Sequence, residues 1–161
     1  MTAFLFVTDL DHTLVGDDEA MTELNQQLSQ HRQEYGTKIV YSTGRSPDLY
    51  RELIAEKPLL SPDALITSVG TEICFNPEEG IFDPEWIEVL SDGWNREQVV
   101  ATAAHFSDLV PQPDTEQRPF KVSYFLTEQA ATEVIPRLES ALKERNLNIK
   151  LVYSGGHDLD I

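Results

Sequence analysis

The stretch Phe4 to Val15, FLFVTDLDHTLV, decides the fold of this chain. Four apolar residues run without interruption into Asp9-Leu10-Asp11, followed by His12 and Thr13. A run apolar on both faces predicts a central strand of a parallel sheet, with helices above and below it. Open α/β sheets place their chemistry beyond the carboxyl ends of such strands, where the two acids lie. Side chains two apart on an extended segment point the same way, so Asp9 and Asp11 can converge on one ligand.

Two acids at the mouth of a buried strand repel each other and lose hydration. A Mg²⁺ ion offsets both costs, because it prefers a few carboxylates together with waters and substrate phosphate. An aspartate beside such an ion can attack phosphorus to give an aspartyl-phosphate. The second acid can protonate the leaving alcohol and then activate water. The plain alternative is that Asp11 or Thr13 only caps a turn. A calcium loop is excluded by spacing. Counted from Asp9, the sixth and twelfth positions are Leu14 and Ala20; counted from Asp11, Gly16 fits but Val15 and Thr22 do not.

Outward from this stretch, the residues around Met21, Leu24 and Leu28 predict a helix over Glu19–Tyr35, stopped by Gly36. Thr37–Thr43 reads as a second strand, and Pro47 opens a helix running to Lys57. Ala64–Ser68 is a third short apolar strand, giving βαβαβ and hence a parallel sheet with right-handed crossovers. Past Gly70 the texture turns α+β. Thr71–Phe75 and Gly80–Phe82 read as a hairpin, Glu85–Leu90 and Arg96–Leu109 as helices, and Lys121–Leu126 as a strand. Gln129–Arg145 reads as an amphipathic helix and Asn148–Ser154 as a last strand. The expected domains are a core over residues 1–77, an inserted α+β domain over 78–154, and a return to the core over 155–161.

The second strand ends in Ser42-Thr43-Gly44-Arg45. A hydroxyl and free N–H groups beside a helix N-terminus make an anion site. Gly44 lets a phosphate oxygen approach the backbone. Arg45 can reach either that phosphate or a neighbouring carboxylate. Alone, this is an ordinary helix cap; one strand away from the acid pair it reads as a phosphate element. It is not a P-loop, which needs a Lys-Ser/Thr after a longer glycine-framed run.

The 161 residues suit one domain or one domain with an insertion, and 40% apolar content is enough for a core. Twenty-eight acids against 12 bases give a net charge of −16. That argues against a nucleic-acid partner and against an acidic membrane surface. Cys74 is the one cysteine, so no internal disulfide forms. The sequence shows no signal-peptide pattern and no apolar run of membrane-spanning length, so a cytoplasmic location is expected.

Together the acid loop, the Thr43-Gly44-Arg45 turn and the insertion after the third strand resemble the haloacid dehalogenase-like phosphatases. Within that class five segments look like sucrose-phosphate phosphatases: DLDHTLVGDD, YSTGRS, SVGTEI, EQRPFKVSY and YSGGHDLDI. The resemblance implies Mg²⁺-dependent hydrolysis of sucrose 6-phosphate. Asp9 is then nucleophile and metal ligand, and Asp11 is general acid/base, offering its carbonyl to the metal. Thr43, Gly44 and Arg45 would hold phosphate, Gly70, Thr71 and Glu72 would meet the sugar, and Gln117 and Lys121 would bond its hydroxyls from a cap. Read without the resemblance, Lys121 is a solvated edge charge and Glu72 an ordinary hairpin carboxylate.

A synthase supplying the sugar phosphate is the implied partner, and a monomer is expected for the intact protein. Phosphatases of this kind also carry a lysine and a G-D-x-x-N-D-like acidic loop after the cap, and this sequence holds neither. The expectation is a truncated polypeptide with little turnover, an exposed edge at the first strand, or a sugar-phosphate-binding module without catalysis. Phosphatases of other sugar phosphates, such as mannosylfructose or trehalose phosphate, are the alternatives within the class.

Overall fold

The computed structural model describes residues 2–161 and divides into two compact units, Met1–Pro84 and Glu85–Ile161. The division falls after the turn that follows the first sheet, later than the 77/78 boundary expected from composition.

In the first unit, β1 (Leu5–Thr8), β2 (Lys38–Ser42) and β3 (Ala64–Thr67) run parallel, and β4 (Glu72–Phe75) runs antiparallel to β3. The order is β1-β2-β3-β4. Helix α1 (Asp18–Tyr35) starts where the Asp17 carboxylate accepts the Glu19 and Ala20 N–H groups, each at 3.0 Å. It stops at Gly36, whose φ of 77° sets a left-handed cap. Helix α2 (Pro47–Glu56) is capped by the Ser46 hydroxyl, which accepts the Leu49 N–H at 3.3 Å, with Pro47 in its first turn.

The unit's core joins Met21 and Leu28 of α1 and Tyr50 and Leu53 of α2 to Ile39, Tyr41 and Leu65 of the sheet. Burial pushes the Tyr41 and Tyr50 hydroxyls up to about 12. All these sheet residues share one face by register, so both helices cover the same side. Successive right-handed crossovers between neighbouring strands in one direction require that arrangement. Of the two expectations for β1, a central strand covered on both faces and an exposed edge, the described residues show the second. Strand β1 lies at the sheet edge, and Leu5, Val7 and Phe75 on the opposite face are 62%, 52% and 60% exposed. The anticipated hairpin is also smaller than expected: β4 pairs chiefly with β3, and Phe82 adds a single bridge to Cys74.

The second unit has an antiparallel sheet of order β5-β6-β8-β7, formed by Val110–Pro111, Ser123–Phe125, Asp158–Asp160 and Val152–Ser154. Helix α3 spans Pro84–Ser91, α4 Arg96–Ala103 and α5 Glu128–Lys143. Ala131, Val134, Leu138 and Leu142 of α5 and Val99 and Ala103 of α4 bury against Tyr124 and Leu159. Residues 155–161, expected to return to the core, instead carry β8 between β6 and β7. Leu159 is fully buried, so the polar-looking HDLD segment is an alternating strand with one apolar anchor.

Asp63, just before β3, ties the first unit together. Its carboxylate accepts from Arg32 of α1 at 2.8 Å, from Lys38 of β2 at 2.8 Å and from the Ile39 N–H at 2.9 Å. Burial pushes its pKa up, but the Lys38 amine, the Ile39 N–H and Arg32 outweigh this and hold it below the usual aspartate range. Such a group contributes stability above about pH 4 that fades as pH falls through its lowered pKa. Asp63→Ala is expected to lower unfolding free energy by about 1–3 kcal/mol at neutral pH, and by less near pH 3. Urea unfolding at both pH values, with amide exchange at Ile39 as local readout, checks this; a difference independent of pH contradicts it.

Candidate active site

The acid loop follows β1 because Leu10, fully buried, anchors it in the core. The Leu10 carbonyl accepts the Thr13 N–H at 3.3 Å and the Val15 N–H at 2.8 Å, and Asp11 bridges to Val15. His12 takes a left-handed φ of 56° to close this turn. Asp9 and Asp11, on either side of Leu10, are left outside the core. The Asp9 carboxylate is exposed and accepts the Leu10 N–H at 2.7 Å and, weakly, the Thr13 hydroxyl at 3.4 Å.

The β2 loop meets this loop through Arg45. Its guanidinium forks onto the Asp11 carboxylate, Nε to Oδ2 at 2.9 Å and Nη2 to Oδ1 at 2.7 Å. Hydrogen bonding and charge from Arg45 hold the Asp11 pKa below the usual range, and Asp11 in turn raises that of Arg45. Of the two targets open to Arg45 in the sequence, the carboxylate is the one occupied. Thr43 is buried, its hydroxyl accepting the Arg45 N–H at 3.2 Å. Gly44 is exposed, and a Cβ built there makes only ordinary contact with Val69 at 3.6 Å. The fold itself therefore tolerates a side chain at that point.

The β3 loop joins next. The Thr43 N–H donates to the Ile66 carbonyl at 2.9 Å and the Ser68 N–H to the Arg45 carbonyl at 2.8 Å. Ser68, Val69 and Gly70 have φ values of 54°, 52° and 93°, three left-handed residues in succession. Thr71 closes this turn, donating through its hydroxyl to the Ser68 carbonyl at 2.9 Å. Glu72 is 6% exposed rather than an open hairpin carboxylate, and its Oε2 accepts the Ser68 hydroxyl at 2.7 Å and the Thr67 hydroxyl at 3.3 Å. The structure thus brings Asp11, Thr43, Gly44, Arg45 and the 68–72 turn into one connected set. Ser68 and Val69 were not among the sequence candidates, and no local signal points to them, since a valine with positive φ runs against its own preference.

Gln117 and Lys121 belong to the second unit. Lys121 is buried, not a solvated edge charge: its Nζ lies 3.2 Å from Asp160 and 3.9 Å from Glu116. Ser123 donates to the same Asp160 oxygen at 2.6 Å. Gln117 spans the backbone, donating to the Ser123 carbonyl at 2.8 Å and accepting the Ser123 N–H at 3.1 Å.

The acid loop at the end of a parallel strand, held to the Thr43–Arg45 turn of the next strand, fits the haloacid dehalogenase-like class. The family model described as sucrose-6F-phosphate phosphohydrolase matches residues 2–161, and the chain belongs to that family. It is 44% identical over 160 residues to probable sucrose-phosphatase 2 of Arabidopsis thaliana, covering 98% of this chain and 38% of that protein. To sucrose-phosphatase 1 of Nicotiana tabacum it is 42% identical over 164 residues, covering 98% of this chain and 37% of the other. The crystal structure of the sucrose-phosphatase from Synechocystis sp. PCC6803, in complex with sucrose and phosphate, superposes with a TM-score of 0.88 at 39% identity. That match covers 99% of this chain and 64% of the other. The chain thus spans little more than a third of the length of these curated plant relatives.

Membership implies a divalent metal cofactor. The donors at the acid loop are hard oxygens, the kind such an ion takes; among the described residues no group of three or more His, Cys, Asp or Glu side chains is placed to hold a metal. Among the described residues, no helix is long and apolar enough to cross a membrane.

The Asp11–Arg45 fork is partly exposed, so its contribution to stability is about 1 kcal/mol or less. Arg45→Met is expected to cost that much near pH 6, and the difference to shrink as pH falls below about 4 and Asp11 protonates. Thermal unfolding of both proteins across that range reads it; an undiminished gap at pH 3 assigns the loss to packing instead.

Proposed function

We propose that the protein is a Mg²⁺-dependent phosphatase that hydrolyses sucrose 6-phosphate to sucrose and phosphate. One observation carries this reading: the acid loop and the Thr43–Arg45 turn meet at a 2.7 Å ion pair, so the acid-loop carboxylates lie beside the Thr43 hydroxyl and the Gly44 backbone. Family membership and the likeness to a sucrose-phosphatase solved with sucrose and phosphate support the sugar.

In this reading the exposed Asp9 carboxylate attacks phosphorus and the sugar alcohol leaves, giving an aspartyl-phosphate that water then hydrolyses. Asp11 gives a proton to the leaving oxygen and takes one from the attacking water. The Arg45 fork favours its ionised form, suited to the second task, so proton donation requires the pair to loosen. Thr43 and Gly44 hold the phosphoryl oxygens. That Gly44 has room for a Cβ supports a ligand as the reason for glycine. The Asp9 carboxylate and the Asp11 carbonyl would hold Mg²⁺, which offsets negative charge on the phosphoryl oxygens. Gly70 and Thr71 meet the sugar, and Gln117 and Lys121 bond its hydroxyls from side chains already fixed by their neighbours. The second unit serves as the cap, and a synthase making the phosphorylated sugar supplies the substrate.

A binding module without turnover is the second reading, supported by the commitment of the Asp11 carboxylate to Arg45. In the whole protein, Asp9→Asn is expected to lower kcat for phosphate release from sucrose 6-phosphate at least about 1000-fold with KM little changed. Wild-type-like release from Asp9→Asn removes the nucleophile assignment. Sucrose 6-phosphate binding without turnover by the unmutated protein favours the module, and faster release from mannosylfructose or trehalose phosphate replaces the sugar.

A further inference from the structure

Glu72 is a buried carboxylate that the reaction above does not use, and it lies against the most strained backbone at the site. We infer that Glu72 is a positioning residue: it holds the Ser68–Val69–Gly70 turn left-handed, and that turn holds the Thr43–Arg45 loop. The role assigned to that loop rests on the proposed phosphatase reading; the mechanical role of Glu72 does not.

Three observations carry the inference. The first is conformational. Ser68 and Val69 lack the freedom of glycine, yet both have φ above 50°. A β-branched residue there is held by its surroundings, not by preference. The second is the holding contact. Glu72 Oε2 accepts the Ser68 hydroxyl at 2.7 Å and the Thr67 hydroxyl at 3.3 Å, and all three residues are buried. A carboxylate acceptor makes these hydrogen bonds stronger than neutral ones, and burial limits competition from water. The Ser68 side chain is thus fixed at the residue where the chain turns left-handed.

The third is transmission. The Ser68 N–H donates to the Arg45 carbonyl at 2.8 Å, and Val69 Cγ1 sits 3.6 Å from a Cβ position built on Gly44. If the turn relaxes to ordinary φ values, the Ser68 N–H swings off Arg45 and Val69 leaves Gly44. The path runs from the Glu72 carboxylate through the Ser68 hydroxyl and N–H to the Arg45 backbone, whose guanidinium grips Asp11. In this inference Glu72 acts through this path, in place of the contact with sugar that the resemblance implied for it.

The decisive test pairs Glu72→Ala with Val69→Gly, because glycine makes the left-handed turn intrinsically acceptable. Amide exchange is measured in wild type, Glu72→Ala, Glu72→Gln and the Val69→Gly/Glu72→Ala double variant. In Glu72→Ala the Ser68 amide is expected to lose protection about tenfold or more, while Ile39 in the sheet keeps its own. Glu72→Gln, which retains an acceptor oxygen, keeps most of the protection. The double variant regains most of it, as a strain-holding role requires and a sugar-binding role does not. Unchanged Ser68 exchange in Glu72→Ala overturns the inference. So does failure of Val69→Gly to restore it, whether or not Glu72→Ala alone stays folded.

A titration with inorganic phosphate in Mg²⁺, read at the Gly44 amide, separates this from the phosphatase reading. About tenfold weaker phosphate binding in Glu72→Ala, recovered in the double variant, is expected. A wild type whose Gly44 amide ignores phosphate overturns the phosphate loop, while the exchange pattern still decides Glu72.

Discussion

The site depends on one residue reaching in two directions. Arg45 stands at the end of the second strand. Its side chain forks onto Asp11 of the first loop, and its carbonyl accepts the Ser68 N–H of the third. Neighbouring parallel strands bring their carboxyl ends to the same edge of the sheet, but that alone leaves their loops free to diverge. The planar guanidinium removes that freedom for the first loop, since a two-point grip fixes orientation as well as distance. The backbone bond does the same for the third. Three strand ends then behave as one surface.

Much of this was legible in the sequence. The apolar run into DLDHT, the turn at Thr43-Gly44-Arg45, the helix stop at Gly36 and the helix start at Pro47 are local signals, and each element lies where they point. The errors arose where a pattern was judged without its partners. Taken alone, an apolar β1 suggested cover on both faces, yet crossovers in one direction put both helices on one side and leave Leu5 and Val7 bare, at the exposed edge that the missing later motifs implied. The HDLD segment was expected to return to the core, but it forms a strand in the second unit, where Asp160 is matched by Lys121 and Ser123, which lie far away in sequence. Without the resemblance, which makes them sugar ligands, Lys121 and Glu72 read as surface charges for the same reason. Burial of a charge is decided by what it meets, and a single chain read in order does not display the meeting.

The left-handed turn is the opposite case, since local signals there predict something the structure does not contain. Val69 prefers extended backbone, and the three residues form a tight turn instead. Places where tertiary structure overrides local preference tend to be functional, because the override stabilises nothing by itself. Here it lies beside Gly44, where the fold leaves room for a Cβ that the sequence does not supply. On the proposed reading, a bulky residue held in a glycine-like conformation and a glycine kept where it is not needed sterically both answer to a ligand close to the backbone.

Electrostatics narrows what else that ligand needs. The chain carries a net charge of −16, and the side chains at the loop, Asp9, Asp11 and Arg45, sum to −1 when all are ionised. Arg45 is already neutralised by Asp11, so it has little charge left for an incoming anion. The long-range field of the protein also opposes a phosphate group. Backbone N–H groups near Gly44 offer partial charges only, worth hydrogen bonds rather than full ion pairs. A sugar phosphate with close to two negative charges therefore requires a positive partner that the three side chains do not provide. A divalent ion shared between hard oxygen donors and the phosphate supplies it, and also relieves the repulsion between the two aspartates. On the proposed reading, the same acids that make the site hostile to phosphate alone make it receptive to phosphate arriving with such an ion.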